Sequence, residues 1–197
     1  MLHSKPVRSQ PGSHVGAFRG GLSNVVRLKV TLIEIVPPIW RRLRVPVHLT
    51  LRRFHSVLQE AMGWRDERPH RFRIGEISFG ITSDPSETLR DSRWITLQDL
   101  VSAGVQTFHY EYGSGDWVHA ITIEALDDAR PDNQRLLCLS GERACPPEES
   151  SGPDDYVERI IVGRNPYAKP GFWPKGTFDP ESFDLERVNA TLSALMY

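Results

Sequence analysis

Four residues of this chain are of the types that hold zinc: His70, His119, Cys138 and Cys145. Neutral imidazoles and thiolates suit that ion, and four of them close a tetrahedral site. Their spacing is not that of a zinc ribbon or finger. Buried cysteines and a core-facing histidine are the plainer account, so neither a metal nor a cofactor is expected. The same region carries acid–base chemistry in Asp116, His119, Glu148 and Glu149, and a candidate nucleophile in Cys145. A working Cys/His pair would have to be in hydrogen-bond contact. The chain has no Gly-rich phosphate loop, no nucleophile elbow and no His-Glu-x-x-His motif. The candidate functional cluster is therefore His70, Asp116, Trp117, His119, Cys145 and Glu148. It lies where the central loop meets the strand bearing Trp117 and His119.

A second chemistry is phosphate recognition. Nine arginines and no lysine lie from Trp40 to Arg73, and the planar guanidinium suits phosphate. Arg41, Arg42, Arg44, Arg52 and Arg53 are the candidate nucleic-acid contacts, with Trp40 and Trp64 available to stack on bases. A structural alternative pairs Arg41 and Arg42 with Glu148 and Glu149, clamping the central loop to the sheet. The charge distribution fits either reading. Residues 1–75 hold 14 Lys and Arg against 4 Asp and Glu, and the remainder holds 10 against 21. Such halves can form a basic binding face or neutralise each other within the fold, and the second is favoured. A third class is a protein-binding surface anchored by some of Trp40, Trp64, Trp94, Trp117 and Trp173.

These residues need elements to position them. Residues 1–24 are rich in Gly, Ser, Pro and His and read as a disordered arm, with residues 25–197 as one domain. Val26, Leu28, Val30 and Leu32 alternate with polar residues, the period of a half-buried strand. Pro37-Pro38 ends that strand. A second follows, with Ile39, Leu43, Val45 and Val47 on one side and Trp40, Arg42 and Arg44 on the other. Thr50 caps a predicted helix over 51–62, stopped by Gly63, with a stripe of Leu51, Phe54, Leu58, Ala61 and Met62. His55 falls off that stripe. A hairpin is predicted over 70–81, then a polar loop to Arg93. Thr96 caps a short helix over 97–103. Two alternating runs about Gly113-Ser114-Gly115 predict a further hairpin. The stretch Cys138–Tyr156 shows no strand or helix pattern and reads as a long ordered loop, where binding groups are commonly displayed. Pro153 opens a predicted helix bearing Tyr156, Val157, Ile160 and Ile161. Asp179-Pro180 starts the last one, with Leu185, Val188, Leu192 and Leu195 as its core stripe. Strands and helices mix without regular β-α-β alternation. The expected class is α+β: one domain with a largely antiparallel sheet and helices packed on it.

At 197 residues, 39% hydrophobic and 25% charged, the chain can bury a sizeable core. No apolar run approaches the roughly 20 residues of a membrane span, and no partner in a membrane is expected. Two cysteines without a signal-peptide core suggest reduced thiols in a cytoplasm.

Several motifs, in order, resemble the plasmid pRiA4b ORF-3-like proteins. They are Pro37-Pro-Ile-Trp-Arg-Arg42, Thr50-Leu with His55 and Gln59, Gly63-Trp64, His70-Arg-Phe72, Tyr110-Glu-Tyr-Gly113 and Asp116-Trp-Val-His119. Cys138-Leu-Ser-Gly141, Ala144-Cys-Pro-Pro-Glu148 and Phe178-Asp-Pro-Glu-Ser-Phe183 complete the set. The resemblance implies a compact α+β domain of bacteria, archaea and mobile elements, with no established activity. Some family members carry a resolvase label, but no serine-recombinase pattern or helix-turn-helix occurs here. The chain departs from the family pattern at two ligand-type positions. A family-typical His is Arg68, and a family-typical Cys is Ser150. The expected role is a binding or interaction module, with nucleic acid or protein as partner and a link to mobile DNA. The alternative is a metal-assisted or cysteine-dependent enzyme at the Cys-Pro-Pro-Glu loop.

Overall fold

The computed structural model describes residues 25–81, 88–113, 116–127, 136–164 and 178–195. The expected N-terminal arm and Trp173 lie outside these residues. Among the described residues, eight strands form one sheet. They are β1 (Val25–Leu32), β2 (Ile39–Pro46), β3 (His70–Ile74), β4 (Ile77–Gly80), β5 (Arg90–Asp91), β6 (Thr107–Tyr112), β7 (Trp117–Asp127) and β8 (Leu137–Glu142). The spatial order is β5-β4-β3-β6-β7-β1-β2-β8. Every pairing is antiparallel except the short β4–β5 contact. Among the described residues, four helices accompany the sheet: α1 (Leu51–Met62), α2 (Leu97–Ser102), α3 (Pro153–Arg164) and α4 (Leu185–Ala194). The α+β class with a largely antiparallel sheet is confirmed.

The alternation in β1 and β2 decides which face is covered. Leu28, Val30, Leu32, Ile39, Leu43 and Val45 are buried, and they share one core with Phe54 and Leu58 of α1 and Leu192 of α4. The opposite face carries Arg27, Lys29, Trp40 and Arg42, which stay half-buried. Helix α1 follows its local signals. The Thr50 hydroxyl accepts from the Arg53 N–H, and Gly63 ends the helix in the left-handed region at φ 87°. In α2, Thr96 and Asp99 form a reciprocal capping box.

Three expectations need correction. The stretch beginning at Cys138 is not all loop, since β8 runs to Glu142 and extends the sheet beside β2 through a register shift. That shift disrupts strict alternation, and Ser140-Gly141 carries no bulk to mark it. The outer edge of β8 is tied by one side chain: Asn189 of α4 accepts from the Cys138 N–H at 2.8 Å and donates to its carbonyl at 3.0 Å. Helix α4 begins at Leu185 with Asp184 as its cap, not at Asp179-Pro180. Asp179 instead closes a turn, its carboxylate accepting from the Glu181 N–H and its carbonyl from the Ser182 N–H. His55, placed off the α1 stripe, is buried together with Gln59, because the sheet offers them polar partners. The predicted α3 forms, and among its described residues Tyr156 is fully buried, whereas Val157 and Ile161 face solvent.

Candidate functional site

The register of β2 against β8 sets Arg41 directly opposite Gly141. Arg41 has the same parity as Ile39 and Leu43, so its side chain enters the covered face and is 3% exposed. Its guanidinium is held by backbone oxygens. Nε donates to Ala61 O at 3.0 Å, and Nη1 donates to Trp40 O at 2.8 Å and to Glu142 O at 3.0 Å. The Phe183 ring lies 4.4 Å from Cζ. Gly141 makes this close approach possible. A Cβ there would sit 2.7 Å from Phe183 Cζ, 2.9 Å from Arg41 Cδ and 2.9 Å from Trp40 O. No carboxylate of the described residues lies within ion-pair distance of Arg41, and Nη2 forms no hydrogen bond among them. Desolvation by burial lowers the pKa of this guanidinium.

Arg41 of β2 lines a cavity of about 400 Å³ between the end of α1, the loop at Ala144-Cys145 and the start of α4. Met62, Trp64, Phe183 and Val188 supply apolar wall. Glu60, Cys145, Asp184, Arg187 and Thr191 supply polar groups. The volume is within the usual range for a small-molecule site, roughly 300–1,000 Å³.

Trp64 forms the partition beside this cavity and organises most of the expected cluster. Its ring stacks on Tyr112 at 4.8 Å, meets Trp117 at 6.1 Å and stands edge-on to His119 at 5.3 Å. Its Nε1 donates to Pro146 O at 2.8 Å, fastening the central loop. The loop is fastened again at Glu148, which accepts from the Tyr112 hydroxyl at 2.5 Å and from the Arg65 N–H at 3.1 Å. Thus Trp117, His119, Cys145 and Glu148 gather around one tryptophan. Asp116 stands apart on the rim, 3.8 Å from Arg68. His70 lies in a different cluster.

The cluster is poorly suited to cysteine chemistry. Among the described residues no hydrogen bond joins Cys145 to a histidine. Burial pushes the Cys145 thiol up strongly, and the nearby Arg41 charge only partly offsets it. Burial likewise raises Cys138, whose Sγ lies 3.4 Å from Ser140 O. His119 is fully buried, and desolvation lowers it to about 4, so it is neutral. The tetrad His70, His119, Cys138 and Cys145 does not converge. Among the described residues only His55, Asp66 and His70 bring metal-ligating atoms together, within 4.8 Å of one another.

The arginine expectations also change. Arg41 is buried, not a surface contact. Arg42 pairs with Glu124 through two bonds of 2.7 and 2.9 Å, not with Glu148 or Glu149. Its strand parity points it to the uncovered face, away from the central loop. Arg44 is half-buried on that same face, and Arg52 and Arg53 lie exposed on α1 on the other side of the sheet. The five do not form one patch. Cross-half ion pairs do form: Arg27–Asp127, Arg42–Glu124, Arg65–Glu149, Arg68–Asp116, and Arg71 and Arg73 with Glu111. The charge asymmetry is therefore largely an internal matter. Of the tryptophans, Trp64 and Trp117 are buried, Trp40 has Lys29 and Arg42 near its ring, and Trp94 is 81% exposed.

The two family-typical positions that differ here meet in space. Arg68 donates to the carbonyls of Glu148 and Ser150, so the substituted side chain bonds the substituted position. Sequence reasoning missed Trp64 and Arg41 as organising residues. The strand parity of Arg41 with Ile39 and Leu43 was the available signal.

Comparison with known proteins agrees with the motif order. Residues 24–187 match the family described as plasmid pRiA4b ORF-3-like protein. The chain is 38% identical over 140 residues to uncharacterized protein y4hQ of Sinorhizobium fredii, covering 70% of this chain and 72% of that one. The crystal structure of the protein of unknown function MM3350 from Methanosarcina mazei Go1 superposes with a TM-score of 0.76 at 27% identity. It covers 85% of this chain and 97% of its own. The chain belongs to the plasmid pRiA4b ORF-3-like family.

Proposed function

We propose that the protein is a binding module whose ligand site is the Arg41 cavity, and that the ligand is a small molecule bearing a carboxylate or phosphate. The observation that carries this is a buried cation with no carboxylate partner among the described residues, at the wall of a cavity of about 400 Å³. A buried charge is costly unless paired, and three carbonyls satisfy hydrogen bonds without supplying an opposite charge. An anion at the remaining nitrogen would. The Trp64 and Phe183 faces would hold the rest of the ligand, and Glu60 and Asp184 would favour one that also carries a donor. The raised thiols and the missing Cys/His contact weigh against the cysteine-dependent enzyme. The scattering of the five candidate arginines weighs against nucleic acid. No helix of the described residues is long and apolar enough to cross a membrane. The two unbridged cysteines support a reducing, cytoplasmic setting.

The test is a thermal-shift panel of inorganic phosphate, sulfate, nucleoside monophosphates, amino acids and short dicarboxylates. At least one acidic compound should raise the melting temperature of the wild type and not of Arg41→Met. Thr191→Tyr, which fills the cavity from α4, should also abolish the shift. A panel that moves nothing, or shifts that survive both substitutions, overturns the proposal.

A further inference from the structure

On the other side of α1 lies a polar cluster that the cavity does not use. Tyr110 of β6 is fully buried, and its hydroxyl lies 2.8 Å from His55 Nδ1 and accepts from Gln59 Nε2 at 2.9 Å. His55 Nε2 lies 2.8 Å from Asp66 Oδ1. The Asp66 N–H donates to Gln59 Oε1 at 2.9 Å, closing a ring of bonds. His70 stacks on His55, with ring centres 3.4 Å apart and planes 5° from parallel. His70 Nε2 is buried with no hydrogen-bond partner among the described residues. A buried imidazole nitrogen without a partner is the exception in a folded protein and calls for an explanation.

We propose that His55, Asp66 and His70 bind a divalent transition metal ion, zinc foremost. Two imidazoles and one carboxylate form a donor set that such ions accept, and three protein ligands leave coordination positions open. All three ligand atoms already lie within 4.8 Å of one another. A tetrahedral centre with bonds of about 2.0–2.2 Å needs donors roughly 3.5 Å apart, so the site must contract. His70 supplies the movement, because its imidazole must turn out of the stack and nothing bonds its Nε2 in place. His55 is already supported from behind by the Tyr110 hydroxyl, itself held by Gln59, as histidine ligands commonly are. When Nε2 takes the metal, the ring proton sits on Nδ1 and donates to the Tyr110 oxygen. The cost is one tyrosine hydroxyl hydrogen left unpaired, which is small beside the binding of a three-ligand ion. Asp66 is 60% exposed at its side chain, which gives the ion a route from solvent.

The experiment is a titration of the full chain with Co²⁺ at neutral pH, followed by visible d–d absorption and repeated with Zn²⁺ in competition. One equivalent should bind and be displaced by zinc. Asp66→Asn and His70→Asn should each weaken binding at least a hundredfold. His109→Asn, on the uncovered face of the sheet, should leave it unchanged. Asp66 is an exposed loop residue, so its variant keeps the test valid if His70→Asn unfolds, and circular dichroism verifies both. Absence of binding, or affinity undiminished in both ligand variants, overturns the assignment. Arg41→Met should bind Co²⁺ like the wild type, so the two sites succeed or fail separately.

Discussion

Gly141→Ala gives the sharpest reading of the β2–β8 junction, because two contributions oppose each other in sign. Where an alanine fits, replacing glycine removes freedom from the unfolded chain and stabilises by about 0.4–1 kcal/mol. At Gly141 the backbone angle imposes no objection, so only space decides. The added methyl would meet Phe183 Cζ at 2.7 Å, Arg41 Cδ at 2.9 Å and Trp40 O at 2.9 Å, all well inside ordinary contact. Phe183 precedes α4 and can retreat. Trp40 O is backbone of the paired strand, and Arg41 is pinned by three carbonyls, so neither can retreat without loosening the strand pair. Overpacking of this kind costs roughly 1–3 kcal/mol. Less the opposing gain of about 0.4–1 kcal/mol, the net loss is roughly 0–2.6 kcal/mol, which for a chain of this length is a fall of up to about 10 °C in melting temperature. Urea denaturation and a thermal melt of wild type and variant decide the matter. A variant more stable than wild type would refute the close approach of Gly141, Arg41 and Phe183, and with it the geometry of the cavity wall.

Tyr112→Phe removes a hydroxyl that accepts from the Glu67 N–H and donates to Glu148. We predict a loss of about 1–3 kcal/mol and faster proteolytic cutting within 146–152, read by limited proteolysis with mass spectrometry. Unchanged cutting would show that the loop is held elsewhere. His119 gives a pH signature. Its pKa is about 4 folded against 6.5 unfolded, because burial disfavours its charge. The unfolded chain therefore binds the extra proton between those values, and stability falls as pH drops from 6.5 toward 4, by on the order of 3 kcal/mol from this group. Urea midpoints across that range should have a shallower slope in His119→Asn, and identical slopes would exclude the burial argument.

Local patterns carried much of the fold and little of the site. The sequence by itself determined β1, β2, α1 and the β6–β7 hairpin. Alternation, the Thr50 cap and the Gly63 stop act over a few residues and compete with nothing. The family was legible too, because its motifs keep their order along the chain. The β8 strand was not, since a bulge and two small residues erase its period until β2 supplies the partner. Nor was the start of α4, where the Asp179 turn imitates a helix cap. Only the tertiary structure decided which charges meet. Arg42 found Glu124 because β7 lies two strands away across β1, on the same uncovered face. Arg41, its neighbour in sequence, faces the opposite way into the core. Successive residues of a strand point to opposite faces, so one step along the chain separates a surface ion pair from the buried cation of a candidate binding site.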